Sequence, residues 1–214
     1  MVRQVWTPPR LELLLRAVCL SRGCAVTSRA GMARALEVHP STVRRWLRRK
    51  GGWRGAPAAI PEARLEGFLH EVRPSADELE REKLQEENAW GALVRLRAGR
   101  VALPAWKSLD WMSEHRVWIE QGVLGFGSVR FTRIGTRRDR PEAGAVSVES
   151  AVMPSRFEAV LLRAAVLAEV HLWRVCLRGM PGGSSLWISG VPMRSLDLIA
   201  EDIRRGSANI SRKR

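Results

Sequence analysis

Apolar residues in the first fifty positions recur every three or four residues between proline and glycine breaks, which restricts this segment to short helices. Pro8 suits the first turn of a helix over 10–20, and residues 21–23 end it. Thr27-Ser28 can cap a second helix that ends near Leu36. The inward faces of these two helices consist of Leu11, Leu14, Leu15, Val18, Met32, Ala33 and Leu36.

A third helix is predicted from Pro40 to Lys50, because proline is favoured in a first turn and the two glycines at 51–52 end the segment. Residues 37–39 form the turn before it. Val38, Val43 and Leu47 would fill the space between the second and third helices, and Trp46 is expected to pack into the same module. The other side of the third helix exposes Ser41, Thr42, Arg44, Arg45, Arg48 and Arg49.

Positive charge is concentrated in this same part of the chain. The 214 residues carry a net charge of +14, with a pI near 11.4. Residues 1–60 hold twelve Lys or Arg residues and two acidic residues, a net charge of +10, whereas residues 61–100 have a net charge of −2. Most of the basic residues are arginines, whose planar guanidinium can chelate phosphate or guanine. A GC-rich genome could explain the arginine content, but the clustering predicts a local module that binds a polyanion.

The segment from Leu11 to Gly51 resembles the Fis-type helix-turn-helix. The stretches LLRAVCLSRGCAV and MARALEVHPSTVRRWLRRKGG carry the likeness, which covers about a fifth of the chain. The segment is also similar to the homeodomain-like modules at the front of many transposases and phage or plasmid regulators. It departs from the family at Glu37, where glycine is usual in the turn, and at His39, where a Ser, Thr or Asn cap is usual. A residue other than glycine at position 37 would take a positive φ at a cost of about 1 kcal/mol.

A helix-turn-helix places its third helix in the major groove of duplex DNA, where the first half of that helix meets base edges. The candidates for base contact are Ser41, Arg44 and Arg45. The candidates for phosphate contact are Thr42, Arg48, Arg49 and Lys50. Arg54, in the stretch Arg54-Gly55-Ala56-Pro57, resembles a minor-groove arm, with a plain linker as the alternative. A three-helix bundle that binds protein, with a solvated basic face, is the alternative for the whole module.

The remainder of the chain predicts an α+β protein that is mostly α, with a small sheet. The expected domains are a helix-turn-helix domain at 1–52, a linker at 53–60, a helical and α+β domain at 61–206 and a basic tail at 207–214. Helices are expected at 61–72, 75–98, 154–177 and 192–205, with one or two more in 103–121. Strands are expected within 122–134, 146–153 and 186–189, and a basic loop at 133–140. Ser75-Ala76-Asp77-Glu78 is a capping-box signature for the helix that follows it.

The role of the C-terminal half stays open between three functions: effector sensing, oligomerisation and a second contact with DNA. A helix pair followed by a strand pair with a basic tip is typical of a winged helix. On that interpretation the second contact consists of Arg130, Arg133, Arg137 and Arg138. The 75–98 helix also carries an irregular apolar stripe, either a dimer seam or a face that packs on its own chain, formed by Leu79, Leu84, Trp90, Leu93 and Leu96.

Signatures of catalysis and of metal binding are missing from the sequence. There is no tyrosine, which excludes a tyrosine recombinase, and no Walker A or Gly-x-Ser-x-Gly motif. The four histidines are dispersed, so no metal site is predicted and no cofactor is implied. Cys19, Cys24 and Cys176 are expected to be reduced thiols. No signal peptide or apolar run of membrane-spanning length occurs, so a cytoplasmic, nucleoid-associated protein without a membrane partner is expected.

The sequence therefore predicts a non-enzymatic protein that binds double-stranded DNA at specific sequences. A transcription regulator such as a repressor, of bacterial, phage or plasmid type, would act as a homodimer on two half-sites about one helical turn apart. One alternative is a DNA-binding accessory factor in transposition, packaging or replication. Another is a basic interaction protein that inhibits a nucleic-acid enzyme.

Overall fold

The computed structural model describes residues 5–24, 28–48, 58–123, 130–137, 146–177, 186–188, 191 and 193–212. Within these ranges the helices are α1 (Pro8–Ser21), α2 (Arg29–Ala35), α3 (Pro40–Trp46), α4 (Glu62–Val72), α5 (Ala76–Arg97), α6 (Pro104–Ser108), α7 (Arg156–Glu169) and α8 (Leu196–Arg212). The strands are β1 (His115–Val123), β2 (Arg130–Arg137), β3 (Val146–Met153), β4 (Arg174–Val175) and β5 (Leu186–Ile188). The expected fold class, α+β and mostly α with a small antiparallel sheet, is confirmed.

The chain forms two compact units. The first unit comprises residues 1–74, 122–132 and 172–191, and the second comprises 75–121, 133–171 and 192–214. The first unit is larger than the N-terminal domain expected at 1–52, because α4, β4 and β5 share the core of α1, α2 and α3.

The core of the first unit is built on α1. Leu11, Leu14 and Leu15 are fully buried in it, and α4 adds Phe68 and Leu69. β4 and β5 form an antiparallel pair in which Val175 lies opposite Leu186. The same core includes Val175, Leu177, Leu186 and Ile188, so residues more than 100 positions apart enclose the N-terminal helices.

In the second unit α5 packs against α7. Ala89, Ala92 and Leu93 of α5 form a cluster with Phe157 and Leu161 of α7. The predicted capping box is confirmed at the start of α5. The backbone amide of Glu78 donates to the Ser75 hydroxyl at 3.3 Å, and the Ser75 amide donates to the Glu78 carboxylate at 2.8 Å. Of the apolar stripe on α5, Leu93 and Leu96 pack on the same chain, whereas the exposed members are Leu79, Leu84 and Trp90.

β1 lies between β2 and β3 in this unit. It pairs with β3 in antiparallel register, from His115 opposite Met153 to Gln121 opposite Val146, with an irregularity between Ile119 and Glu120. No described helix is both long enough and apolar enough to cross a membrane.

Two of the predicted elements in the middle of the chain were wrong. One or two helices were expected within 103–121; one is present, α6, but 115–121 belong to β1. Val117, Trp118 and Ile119 are β-branched or aromatic, and a short apolar run of this kind does not distinguish a strand from a helix by periodicity. The basic loop expected at 133–140 was also wrong over 133–137, which belong to β2.

Three helix ends also differ from prediction. The third helix ends at Trp46, because the amide of Arg48 bonds to the carbonyl of Arg45 and closes a tighter last turn. α7 ends at Glu169, before a short 3-10 helix at 171–173 and β4. α8 continues to Arg212, so most of the expected basic tail is helical.

Candidate nucleic-acid interface

The turn between α2 and α3 has the geometry of a Schellman motif, in which the last carbonyls of a helix are satisfied by the residues that follow it. The amide of Val38 donates to the carbonyl of Ala33 at 2.9 Å, and the amide of Glu37 donates to Arg34 at 3.1 Å. Glu37 has a φ of +55°, which confirms the predicted left-handed residue at this position. Glu37 therefore adopts the left-handed backbone conformation that glycine usually occupies in such a turn.

His39 takes the capping position at the start of α3. Its ring nitrogen Nδ1 accepts from the backbone amide of Ser41 at 3.3 Å and lies 2.7 Å from the Ser41 hydroxyl. An unprotonated imidazole nitrogen thus replaces the hydroxyl or amide oxygen that usually caps such a helix. The Ser41 side chain, a predicted base contact, is held at the first turn of α3 by the same ring.

One side of α3 is fixed in the core of the first unit. Val43, Trp46 and Leu47 are almost completely buried. The Trp46 ring meets the Phe68 ring edge to face, with centroids 6.1 Å apart and planes at 73°. The prediction that Trp46 packs into the module is therefore confirmed. The buried residues determine which side of the helix is turned outward.

The outward side of α3 is cationic. Its exposed residues are Ser41, Arg44, Arg45 and Arg48, which recur at three- and four-residue spacing, while Thr42 is half-buried. No carboxylate of the described residues lies within 4.0 Å of the three arginines. Arg49, Lys50 and Arg54, which were predicted to contact DNA, lie outside the described residues.

Other arginines of the same unit are neutralised by carboxylates. Arg22 forms a two-pronged pair with Glu71, with nitrogen-oxygen distances of 2.6 and 2.8 Å, and also donates to the Ala35 carbonyl. Hydrogen bonding to Glu71 raises the pKa of Arg22. Arg16 pairs with Glu12 at 3.0 Å. The three arginines on the outward side of α3 differ from these because no such pair occupies them.

Arg34 is a further exposed cation that the sequence reasoning did not nominate. It lies in the last turn of α2, and no carboxylate of the described residues pairs with it. In a helix-turn-helix the first helix crosses the DNA backbone, and α2 corresponds to that helix in the predicted resemblance. Its position opposite the buried Met32 and Ala33 could have revealed it from the sequence.

The predicted second contact is described only in part. Arg133 donates to Glu120 at 2.6 Å, and Glu120 is buried, so the charge of Arg133 is compensated within the sheet. Arg130 and Arg137 lie in β2, but their side chains are outside the description, and so is the whole of Arg138. Among the described residues, the four arginines of this predicted contact therefore do not form an exposed cationic surface.

Cys19 is a core thiol and not a reactive group. Burial, together with the nearby Cys24, raises the pKa of Cys19 from 9.0 to about 11. A thiol with such a pKa is almost entirely protonated at neutral pH, and the thiolate is the nucleophilic form. Within the described residues, no group of three His, Cys, Asp or Glu side chains is arranged to hold a metal ion.

Comparison of the chain with protein-family models, with curated proteins and with solved structures finds no match in any of the three. The resemblance to the Fis-type helix-turn-helix stays a prediction.

Proposed function

We propose that this protein binds duplex DNA at specific sequences through the exposed side of α3, and that it regulates transcription. The observation that carries the proposal is the state of Arg44, Arg45 and Arg48. All three are exposed, and none is paired with a carboxylate of the described residues. Phosphates and guanine edges supply the partners that these exposed guanidinium groups lack.

Position along α3 supports a division of roles. Arg44 and Arg45 lie within the helix and can reach base edges, where a bidentate arginine-guanine pair contributes about 1–3 kcal/mol of discrimination. Arg48 follows the end of the helix, where it is better placed to contact the DNA backbone. Such phosphate contacts position the protein and carry no sequence information.

A homodimer would double this interface. Two copies of α3 spaced about 34–36 Å apart would meet successive major-groove faces of a palindromic site. The exposed apolar side chains of α5, Leu79, Leu84 and Trp90, are available in the second unit for such an association. A DNA-bound protein of this kind would work in the cytoplasm on the nucleoid and needs no catalytic group.

Selection from a pool of randomised duplexes tests the proposal directly. We expect enrichment of a compact, palindromic motif by the full chain. A steep dependence on salt without any enriched motif would instead support a packaging or architectural role. Failure to retain any duplex at low salt would overturn the proposal and leave binding to an acidic protein.

Two arginine variants then test the assigned roles. Arg44→Ala should change the enriched motif and cost about 1–3 kcal/mol on the wild-type site. Arg48→Ala should lower affinity evenly across sequences and reduce the salt slope by about one. Arg205→Ala is the matched control, because it removes the same charge from an exposed arginine of the second unit that already pairs with Glu201. Equal effects of Arg44→Ala and Arg48→Ala on every sequence would contradict the assignment.

A further inference from the structure

The second unit contains a cavity of about 580 Å³ that DNA binding through α3 does not use. Binding sites for small molecules in proteins are usually about 300–1,000 Å³, so this volume is sufficient for a ligand. Its lining includes Gln85 and Asn88 of α5 and Arg156 and Phe157 of α7. All the lining residues belong to the second unit.

Aromatic rings form part of the lining of this cavity. Trp106 and Trp111 both meet Phe157 edge to face, with ring centroids 4.9 and 6.0 Å apart. Both tryptophans are only half-buried, so part of their large apolar surface faces the cavity and is not covered by protein. The packing on Phe157 fixes the rings and leaves a rigid apolar surface suited to a flat ligand.

A cation packs over one of these rings. The guanidinium carbon of Arg156 lies 4.6 Å from the centre of the Trp111 ring, and the Arg156 amide donates to the Trp111 carbonyl at 2.9 Å. No carboxylate of the described residues pairs with Arg156. The other arginine of the lining, Arg163, differs because it already pairs with Glu82 at 3.4 Å. Arg156 therefore holds a positive charge beside an apolar surface with no anion to complement it.

We propose that this cavity binds a small organic acid. A flat aromatic ring would lie against Trp106 and Trp111, and its carboxylate would pair with Arg156. The Arg156 guanidinium already packs over the Trp111 indole. Pairing with a carboxylate would therefore cost little side-chain entropy, because the guanidinium is held in place before the ligand binds. The side-chain amides of Gln85 and Asn88, which also line the cavity, can donate to or accept from substituents of the ring.

Calorimetric titration of the full chain without DNA, with 2-naphthoate as the probe, tests this proposal. We expect saturable binding at one site, about tenfold tighter for 2-naphthoate than for its neutral twin 2-naphthamide, since one charge-assisted hydrogen bond separates the two. Arg156→Gln should remove that preference and leave 2-naphthamide binding unchanged. Arg205→Gln, which removes an exposed charge elsewhere in the second unit, should change neither.

A second variant tests the cavity itself. Val160→Trp fills the space between α5 and α7 with a larger ring and should abolish binding of both probes, while circular dichroism shows the same helix content. Absence of saturation up to about 10 mM of 2-naphthoate would overturn the proposal. So would unchanged binding to Val160→Trp, or equal losses in Arg156→Gln and Arg205→Gln. None of these results depends on DNA, so the cavity can fail while the proposed function stands, and the reverse.

Discussion

Replacing Glu37 by glycine should stabilise the protein, although it deletes a whole side chain. Glu37 occupies the left-handed position of the turn between α2 and α3, with a φ of +55°. Its side chain is exposed and makes no hydrogen bond with the described residues; removing it loses only a solvent-screened attraction to Arg22. The clash of its Cβ with the following carbonyl is relieved, because glycine has no Cβ.

The expected size follows from two opposing effects. Relief of the left-handed conformation gains about 1–2 kcal/mol, and the greater freedom of glycine in the unfolded chain costs about 0.5–1 kcal/mol. The free energy of unfolding should therefore rise by about 0.5–1 kcal/mol. For a chain of this length that corresponds to an increase in Tm of about 1–4 °C.

Urea unfolding followed by circular dichroism measures the change, with Glu37→Ala as the matched control. Alanine also removes the carboxylate but keeps the Cβ, so it should not stabilise the protein. If Glu37→Gly were no more stable than Glu37→Ala, the backbone strain assigned to this turn would be refuted. A gain shared equally by both variants would point to the removed charge instead.

Two further predictions concern buried groups. Because the native pKa of Cys19 is raised to about 11, the unfolded state loses this proton first as the pH rises. Between pH 9 and 11, the stability of the wild-type protein in urea unfolding should therefore fall by about 2 kcal/mol more than that of Cys19→Ala. Parallel pH profiles of the two proteins would contradict this. Arg97 pairs with the largely buried Glu158 at 3.6 Å, and Arg97→Met should cost about 3 kcal/mol by leaving that carboxylate uncompensated. Adding Glu158→Leu to Arg97→Met should recover most of the lost free energy of unfolding. If the double variant were as unstable as Arg97→Met alone, the loss could not be assigned to the uncompensated Glu158 carboxylate.

Local signals in the sequence were sufficient for most of the N-terminal module. Proline at the start of α1 and of α3, Ser28 at the start of α2 and the spacing of leucines each act over a single helical turn, and all are confirmed. The strained turn at Glu37 was predicted for the same reason, since a Schellman motif needs a left-handed residue at a fixed distance from the helix end.

Local patterns did not predict the elements whose structure depends on contacts with distant parts of the chain. β1 is a strand because it pairs with β3, about thirty residues away, and no pattern within 115–123 records that partner. β4 and β5 complete the core around α1 from the far end of the sequence. The cavity beside Trp106 and Phe157 was missed because its walls come from α5 and α7, each of which reads as an ordinary amphipathic helix.

Charge composition alone also does not identify which arginines of the candidate interface are available to a ligand. Every arginine adds one unit to the net charge of +10 over residues 1–60. In the structure, however, the arginines differ in whether a carboxylate pairs with them. Glu71, a residue outside that segment, neutralises Arg22, so this arginine contributes to the fold and is not available to DNA. Arg44 and Arg45 contribute the same charge to the composition as Arg22. They differ from it because they lie on an exposed helix face and pair with no carboxylate of the described residues. An arginine that has no carboxylate partner among the described residues gains more from a phosphate than it loses in the protein, whereas a paired arginine such as Arg22 does not.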